Sequence, residues 1–339
     1  MQPHERNRDQ RQWHGLYVAA MAMCAAAVWA VMPLVPVRAE TAYPNRPVRI
    51  FLPYGPGGVA DVTMRLLAQK LSAMTNQQFV VDNRPGAGGI LSAKAVIDAP
   101  PDGYALALMG NGQAISVSLF KTRPYSPLND FTQVSIMATF EMLLAVSADS
   151  PYHTLQDVVA AARKSPGKLN FGAVNPGSTQ NLSAHMFKQM SGLDVTIIPY
   201  KTTPDLLNAI LRHDVDVGFD FYAGLQGGLS NNTLRILATS GEERDPLLRD
   251  VPTARESGFP DYVVTSWNGL SAPAKLPADV LKTLNGLINT GLADPELREK
   301  ASKFGMVARG STPDEMHDRM AADIKKWAAV IEKAGIEKQ

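Results

Sequence analysis

The sequence predicts an α/β protein built from two successive units. Apolar, strand-like runs alternate with helical ones along most of the chain, which is typical of α/β folds. A glycine-rich turn lies between a strand end and a helix start in each unit. The length remaining after an N-terminal leader, about 300 residues, is enough for two domains of ordinary size.

The leader is predicted at residues 1–39. Basic residues precede a mostly apolar run from Leu16 to Val35, and the run ends at the small-residue pattern Val37-Arg38-Ala39, which is typical of a cleaved signal peptide. A retained single-pass anchor is the alternative, but two prolines in the run disfavour it. The chain's one cysteine, Cys24, falls in this leader. We therefore expect export to the periplasm and a mature chain that begins at Glu40.

Three strands and their helices are predicted in the first unit. The strands are VRIFLP (48–53), QFVVD (78–82) and YALALM (104–109). A helix is expected from Val59 to about Met74, a second from Ile90, and a third after Met109.

Five strands are predicted in the second unit: LLAVSA (143–148), KLNFGA (168–173), VTIIPY (195–200), VDVGFD (215–220) and LRILATS (234–240). Helices are expected between them at about 154–164, 179–191 and 204–212. Asp294-Pro295 and Thr312-Pro313 predict two further helix starts, because a capping side chain is followed by proline. The last helix, at about 313–335, has one apolar face for the core: Met316, Met320, Ile324, Trp327 and Ile331.

The charge balance excludes some classes of partner. The full chain has 33 basic and 32 acidic residues, and loss of the leader would bring the net charge to near −1. A neutral chain without basic blocks is not expected to bind nucleic acid or an anionic membrane surface.

The first glycine-rich turn admits a dinucleotide interpretation. Residues Gly55 to Ala60 match the G-x-G-x-x-G/A pattern, and Asp82 follows where a ribose-binding acid would lie. Pro53 and Pro56 stiffen the turn, however, and Asp61 brings a carboxylate to the helix start where the pyrophosphate would bind. An exported chain also has no evident supply of the cofactor, so we predict that none is bound.

Catalytic and metal-binding patterns are not found. The sequence lacks G-x-S-x-G, H-E-x-x-H and a P-loop, and four histidines are scattered singly: His153, His185, His213 and His317. We therefore predict neither a catalytic residue nor a metal site. Asp214 and Asp216 are expected on a solvated face of their strand, whereas Asp220 ends the strand where α/β sheets place ligands.

The two glycine-rich turns together predict an anion site. The second turn, Asn175 to Gln180, follows the strand KLNFGA and opens a helix, as the first turn does. Free N–H groups and the positive end of the helix dipole favour an anion at such a place. One turn alone would be explained as a simple capped connection. Two turns, one in each domain, predict a cleft with a carboxylate-sized site on each wall.

The sequence also resembles a known family. Its landmarks, in order, are Tyr43–Pro47, Pro53–Asp61, Asp82–Gly89, Pro101–Tyr104, Pro199–Lys201, Asp250–Thr253 and Ala272–Pro273. They are similar to those of the Bug-type receptors, which are periplasmic substrate-binding proteins of tripartite tricarboxylate transporters. The resemblance extends over essentially all of the mature chain and does not identify a ligand.

The resemblance implies a two-domain, type II-like flytrap that closes on a small carboxylated solute and delivers it to a membrane permease. Domain 1 would comprise residues 40–142 and 266–339, domain 2 residues 143–265, and the hinge strands would lie near 141–146 and 263–270. The implied ligand-binding residues are Tyr54, Gly57, Gly58, Asp61 and Asn111 on one wall, and Gly177, Ser178, Thr179, Gln180, Tyr200 and Asp220 on the other. We expect a monomer. Asp61 could equally cap its own helix.

Four residues depart from the family pattern: Ala60, Asn181, Thr202 and Asn268. Each is expected to touch the cleft or its rim, so the ligand could differ from citrate-like or amino-acid solutes. Two other functions stay open at this point. A receptor for a signalling partner would use the same cleft, and so would an exported enzyme, which the missing catalytic pattern makes the weaker alternative.

Overall fold

The computed structural model describes residues 43–56, 59–85, 89–174 and 177–338. The predicted leader lies outside these residues, and so do Gly57 and Gly58 of the first glycine-rich turn. No helix in the described ranges is both long and apolar enough to span a membrane.

Ten strands form one continuous sheet in the described part of the chain. They are β1 (Val48–Leu52), β2 (Phe79–Asn83), β3 (Ala105–Gly110), β4 (Phe131–Ser147), β5 (Asn170–Val174), β6 (Thr196–Tyr200), β7 (Val217–Phe221), β8 (Leu234–Thr239), β9 (Thr265–Pro273) and β10 (Met306–Ala308). The order is β2-β1-β3-β9-β4-β7-β5-β6, and β8 and β10 pair with β4 off this path.

Ten helices are described. They are α1 (Val59–Thr75), α2 (Ile90–Ile97), α3 (Asn111–Leu119), α4 (Leu155–Lys164), α5 (Thr179–Ser191), α6 (Thr203–Leu211), α7 (Tyr222–Ser230), α8 (Ala278–Leu292), α9 (Pro295–Ser302) and α10 (Pro313–Ala334). The predicted caps are present: Asp294 accepts a hydrogen bond from the N–H of Leu297, and Thr312 accepts one from that of Glu315.

The long strand β4 joins two half-sheets. Its residues up to Glu141 pair antiparallel with β9, and its residues from Met142 onward pair with β7. The first half-sheet contains the parallel strands β2, β1 and β3, and the second contains the parallel strands β7, β5 and β6. Strands β4 and β9 thus run where the hinge was expected, while the domain boundaries stay a prediction.

Helix α10 packs across both half-sheets. Four members of its predicted apolar face, Met316, Met320, Trp327 and Ile331, are buried in a core that also includes Phe171 and Phe219 of the second half-sheet. This burial confirms that the face is structural. The solvated face expected for the aspartates before β7 is only partly present: the Asp214 side chain is about half exposed, whereas Asp216 is partly buried and accepts from the N–H of Asn170.

Four elements differ from expectation: the first half of β4, the helices α7 and α8, and strand β10. Strand β4 begins at Phe131, although we predicted a strand only from 143, because its first half contains polar residues such as Thr132, Gln133 and Ser135 and does not form one apolar run. Helix α7 was not predicted, since its sequence YAGLQGGLS contains three glycines, which are poor helix formers. The burial of Leu225 and Gly228 against the sheet stabilises the helix although its intrinsic helix propensity is low.

A half-buried carboxylate marks the point where β4 changes partners. In the sheet, Glu141 pairs with Thr265 of β9, and the next residue of β4 pairs with Phe221 of β7. The side-chain atom Glu141 Oε2 has no hydrogen-bond partner among the described residues. Burial, and then the nearby charge of Asp245, raise the pKa of Glu141 to about 7 from its ordinary value of 4.5. Burial also raises the pKa of Asp245.

We expect this pKa to make stability depend on pH. The folded state holds a proton on Glu141 between about pH 4.5 and 7 that the unfolded state releases, so the contribution is full below 4.5 and is lost as pH rises through 7. The loss amounts to at most about 3 kcal/mol. Urea unfolding at pH 5 and pH 8 should show a smaller pH difference in Glu141→Gln than in the wild type. Equal differences would contradict the assignment.

Candidate functional site

A cavity of about 480 Å³ lies between the two half-sheets. Elements of the first half-sheet contribute these described lining residues: Tyr54, Val59, Ala60, Asn111, Gly112, Phe140, Ser266, Trp267 and Asn268. Elements of the second contribute Ser178, Thr179, Gln180, Thr203, Asp220, Phe221, Ala223 and Gly224. A volume of this size suits a small organic molecule.

The first wall is built where β3 runs directly into α3. Gly110 ends the strand, and its N–H donates to Gln113 Oε1 at 2.8 Å, so that Asn111 and Gly112 form the first turn of the helix at the cavity. The Tyr54 hydroxyl lies over Gly112, where an added Cβ would come within 2.7 Å of it. Although 39% of Tyr54 is exposed, burial around the hydroxyl raises its pKa to about 12, so it stays a neutral donor.

The second wall is the capped start of α5. The Ser178 hydroxyl accepts a hydrogen bond from the N–H of Asn181 at 3.1 Å and donates one to the carbonyl of Val174 at 2.5 Å. Its hydrogen-bond donor and acceptor are therefore both used within the turn. The first N–H groups of a helix have no partner within the helix. Here those groups belong to Thr179 and Gln180, which line the cavity.

The floor of the cavity contains a buried carboxylate. Asp220 is 2% exposed and accepts from three donors: Thr203 Oγ1 at 2.7 Å, Gln180 Nε2 at 3.1 Å and the N–H of Phe221 at 2.8 Å. Burial raises the pKa of Asp220, and these three hydrogen bonds oppose the rise because they favour the charged form. Asp220 is thus satisfied by the protein itself.

Several helix N-termini face the cavity. Five helices, α1, α3, α5, α6 and α7, each place first-turn residues in its lining. The described lining residues include no lysine, arginine or histidine, and Asp220 is the single acid among them. The starts of α6 and α7 lie beside Asp220, since Thr203 begins α6 and Phe221 caps α7. The positive ends of α1, α3 and α5 remain for an anionic ligand.

Aromatic side chains close the cavity on its apolar side. Phe140 and Phe221 pack edge to face with ring centroids 4.8 Å apart. Phe140 lies on β4 just before the point where β4 changes partners, and Phe221 lies on β7, which pairs with β4 just after that point. The Trp267 indole is held in place because its N–H donates to Asp323 Oδ2 at 2.6 Å. These rings provide shape without charge.

Two amide side chains in the first wall are not satisfied. Asn111 and Asn268 are 3% and 4% exposed, and Asn111 Oδ1 and Asn268 Nδ2 have no hydrogen-bond partner among the described residues. A buried polar atom without a partner costs about 1–3 kcal/mol. Both residues line the cavity, but these two atoms are themselves inaccessible, so they face the surrounding protein and not the open space.

Six of the residues predicted for the site line this cavity: Tyr54, Asn111, Ser178, Thr179, Gln180 and Asp220. Asp61, Gly177 and Tyr200 are not among its lining residues, and Gly57 and Gly58 lie outside the described residues. Ala60 and Asn268, which depart from the family pattern, also line it. That these residues bind a ligand stays a prediction.

The three predicted residues beyond the lining have structural contacts. Asp61 is 3% exposed and accepts from Arg65 Nε and Asn83 Nδ2, both at 2.9 Å, so it joins α1 to the end of β2. The N–H of Gly177 donates to Asn181 Oδ1, and its φ of 76° with Leu119 against it leaves no room for a side chain. Tyr200 ends β6 and packs beside a small apolar core.

Sequence reasoning missed several lining residues: Phe140, Thr203, Phe221, Ala223, Gly224 and Ser266. Phe140 belongs to the unpredicted part of β4, and Ala223 and Gly224 belong to the unpredicted helix α7. A helix start predicted at Thr203 instead of 204 would have pointed to Thr203, since Thr202 followed by Pro204 is a cap signal.

Asp82, the acid of the dinucleotide interpretation, lies outside the cavity lining. Its carboxylate forms ion pairs with Arg49 at 2.6 Å and Arg84 at 3.1 Å. In the part of the chain that the structure describes, no group of three or more histidine, cysteine, aspartate and glutamate residues could hold a metal ion.

Known proteins share this architecture. A family model described as tripartite tricarboxylate transporter family receptor, TctC, matches residues 63–336. Protein BugT of Bordetella pertussis is 30% identical over 327 residues, which cover 95% of this chain and 96% of BugT.

Two solved structures are similar over their whole length. Rpa4515 of R. palustris, solved with adipate, is 32% identical with a TM-score of 0.77, and the alignment covers 88% of this chain and all of Rpa4515. The periplasmic binding protein BugD is 29% identical with a TM-score of 0.74, and the alignment covers 88% of this chain and all of BugD. The predicted two-domain α/β fold of a periplasmic binding protein is confirmed, and the chain belongs to the TctC family of tripartite tricarboxylate transporter receptors.

Proposed function

We propose that this protein is an extracytoplasmic receptor that binds a small organic carboxylate in the cavity between the half-sheets. One observation carries the proposal: helix N-termini converge on a cavity whose described lining has no basic side chain. Main-chain N–H groups at the starts of α1, α3 and α5 would bind the anion in place of lysine or arginine. A relative of the same fold, Rpa4515, was solved with adipate.

The energies favour contacts to the solute from both domains. A micromolar site needs about 8 kcal/mol, whereas one helix terminus contributes roughly 0.3–2 kcal/mol to a nearby anion. Hydrogen bonds to an ionised carboxylate add about 1.5–3 kcal/mol each. No single helix terminus is therefore sufficient, and several hydrogen bonds spread over both walls account for a micromolar affinity.

The bound solute would be handed to the membrane permease of a tripartite transporter, the role that the family description implies. We place the protein in the periplasm, in keeping with BugD and with the predicted leader at residues 1–39. We assign it no chemical reaction, because the one acid in the described lining is held by three protein donors. We propose that it acts as a monomer without a cofactor.

Calorimetry with the purified protein tests the proposal. We expect at least one member of a panel of mono-, di- and tricarboxylates to bind with micromolar or tighter affinity, and we expect the corresponding neutral diols and methyl esters not to bind, because they lack the charge that the helix N-termini favour. Failure of the whole panel, or equal binding of a carboxylate and its neutral counterpart, would contradict the proposal.

A further inference from the structure

The second connection between the half-sheets is fastened to helix α10. Strand β4 is the first connection, and the chain returns to the first half-sheet through residues 263–267, the crossover segment, which includes the start of β9. Lys326 Nζ donates a hydrogen bond to the carbonyl of Val263, and Arg319 Nη2 donates one to the carbonyl of Thr265, both at 2.5 Å. Two basic side chains of one helix thus bind alternate carbonyls of the segment.

A buried carboxylate orders this contact. Asp323 is 5% exposed, and its Oδ2 accepts from Arg319 Nε at 2.9 Å and from the indole N–H of Trp267 at 2.6 Å. The guanidinium of Arg319 is therefore held by Asp323 while its Nη2 binds the crossover segment. Trp267, the last residue of the segment, is bound to the same helix.

The opposite side of the crossover segment is bound to the point where β4 changes partners. The N–H of Val264 donates to the carbonyl of Ser240 at 2.9 Å, and the Ser240 hydroxyl donates to the carbonyl of Val264 at 2.6 Å. Ser240 also exchanges hydrogen bonds with the main chain of Met142, the first residue of β4 that pairs with β7. The segment thus lies between α10 and the expected hinge.

Lys326 is an expensive way to stabilise a fold. Its side chain is partly buried, and burial lowers the pKa of Lys326 because the ammonium loses part of its hydration. Its hydrogen-bond partner is one neutral carbonyl. A methionine of similar length would fill the same place without the desolvation cost. The ammonium is therefore better explained by the segment that it holds than by stability.

We propose that Lys326 and Arg319 are positioning residues for solute binding, because they fix the crossover segment on α10 and so limit how far the two half-sheets open. Helix α10 packs across both half-sheets, so the segment cannot bend away while it is bound to the helix. A narrower range of openings leaves less conformational freedom to lose when both walls contact the solute. The effect on affinity rests on the proposed function, whereas the restraint on the hinge does not.

Lys326→Met is the variant that tests the proposal. It removes the donor and keeps most of the side chain, whereas replacement of Arg319 would leave Asp323 buried without its ion-pair partner. Lys325→Met is the matched control. Lys325 is exposed and lies one residue earlier on α10, so this variant removes the same charge without removing the hydrogen bond to Val263.

Distances between spin labels measure the hinge without any solute. The labels are attached through Val80→Cys and Lys201→Cys, two exposed positions on or just after β2 and β6, the outermost strands of the two half-sheets. Cys24, the one native cysteine, is replaced by serine. We expect a broader distribution of distances in Lys326→Met than in the wild type and in Lys325→Met. Equal distributions in all three proteins would overturn the inference.

Calorimetry with succinate, malate, adipate and citrate measures the consequence for binding. Every one of these acids that the wild type binds should bind roughly threefold or more weakly to Lys326→Met, while the urea midpoint stays close to that of the wild type. Unchanged affinity, or a lower midpoint with unchanged label distances, would overturn the inference and leave the proposed function intact. Absence of binding by these acids and by the wider panel would refute the proposed function, and the label distances would still decide whether α10 restrains the hinge.

Discussion

Gly224→Ala is expected to weaken solute binding about tenfold while the protein stays folded, a loss of about 1.4 kcal/mol. Gly224 lies in the first turn of α7, in the cavity lining. A Cβ there would come within 3.0 Å of Asp220 Oδ2 and 2.9 Å of Thr203 Cγ2. The Asp220 carboxylate and the Thr203 side chain must then shift by a few tenths of an ångström, which perturbs their hydrogen bond at the second wall. Calorimetry against the tightest carboxylate of the panel measures the effect.

Gly227 supplies a control in the same helix. A Cβ at Gly227 would meet no atom within 4 Å, and the residue is exposed. Gly227→Ala should therefore bind the solute as the wild type does and gain roughly 0.5–1 kcal/mol of stability, because alanine favours a helix over glycine. If Gly224→Ala bound as tightly as Gly227→Ala, the start of α7 would have no part in the site.

Gly110→Ala is expected to cost both stability and binding. Its Cβ would lie 2.3 Å from the carbonyl oxygen of Trp267, which belongs to the backbone of the paired strand β9 and cannot rotate away. Overpacking of this kind costs about 1–3 kcal/mol. The strands must separate locally, which displaces Asn111 and Gly112 at the start of α3, so we expect binding to fall tenfold or more. Urea unfolding and calorimetry measure the two losses.

The exposed Gly286 of α8 provides the comparison for this variant. No atom would lie within 4 Å of a Cβ at Gly286, so Gly286→Ala should be at least as stable as the wild type and should bind normally. A Gly110→Ala protein with unchanged stability and affinity would show that β3 and β9 are not held as closely as the structure indicates.

The sequence predicted the second wall well because its signals are local. An apolar strand, a turn and a capping serine lie within a few residues of each other, and the structure has β5, the Ser178 cap and α5 in that order. The apolar stripe of α10 was predictable for the same reason, since a helical period is visible in the residues themselves.

The remaining site residues depend on tertiary contacts that no local pattern reveals. Phe140 reaches the cavity because β4 continues past the point where it changes partners, and Gly224 reaches it because α7 forms against the sheet despite its glycines. The role of Asp61 could not be decided from the sequence either. Arg65 is its i,i+4 ion-pair partner within α1, but Asn83 reaches it only when α1 packs beside β2.

A crystal structure of the protein with the tightest-binding carboxylate of the panel tests the central claim most directly. We expect carboxylate oxygens at roughly 3 Å from main-chain nitrogens at the start of α5 on one side, and from those at the start of α1 or α3 on the other. A solute bound outside this cavity, or one whose carboxylate is held by lysine or arginine side chains instead of helix N-termini, would contradict the account.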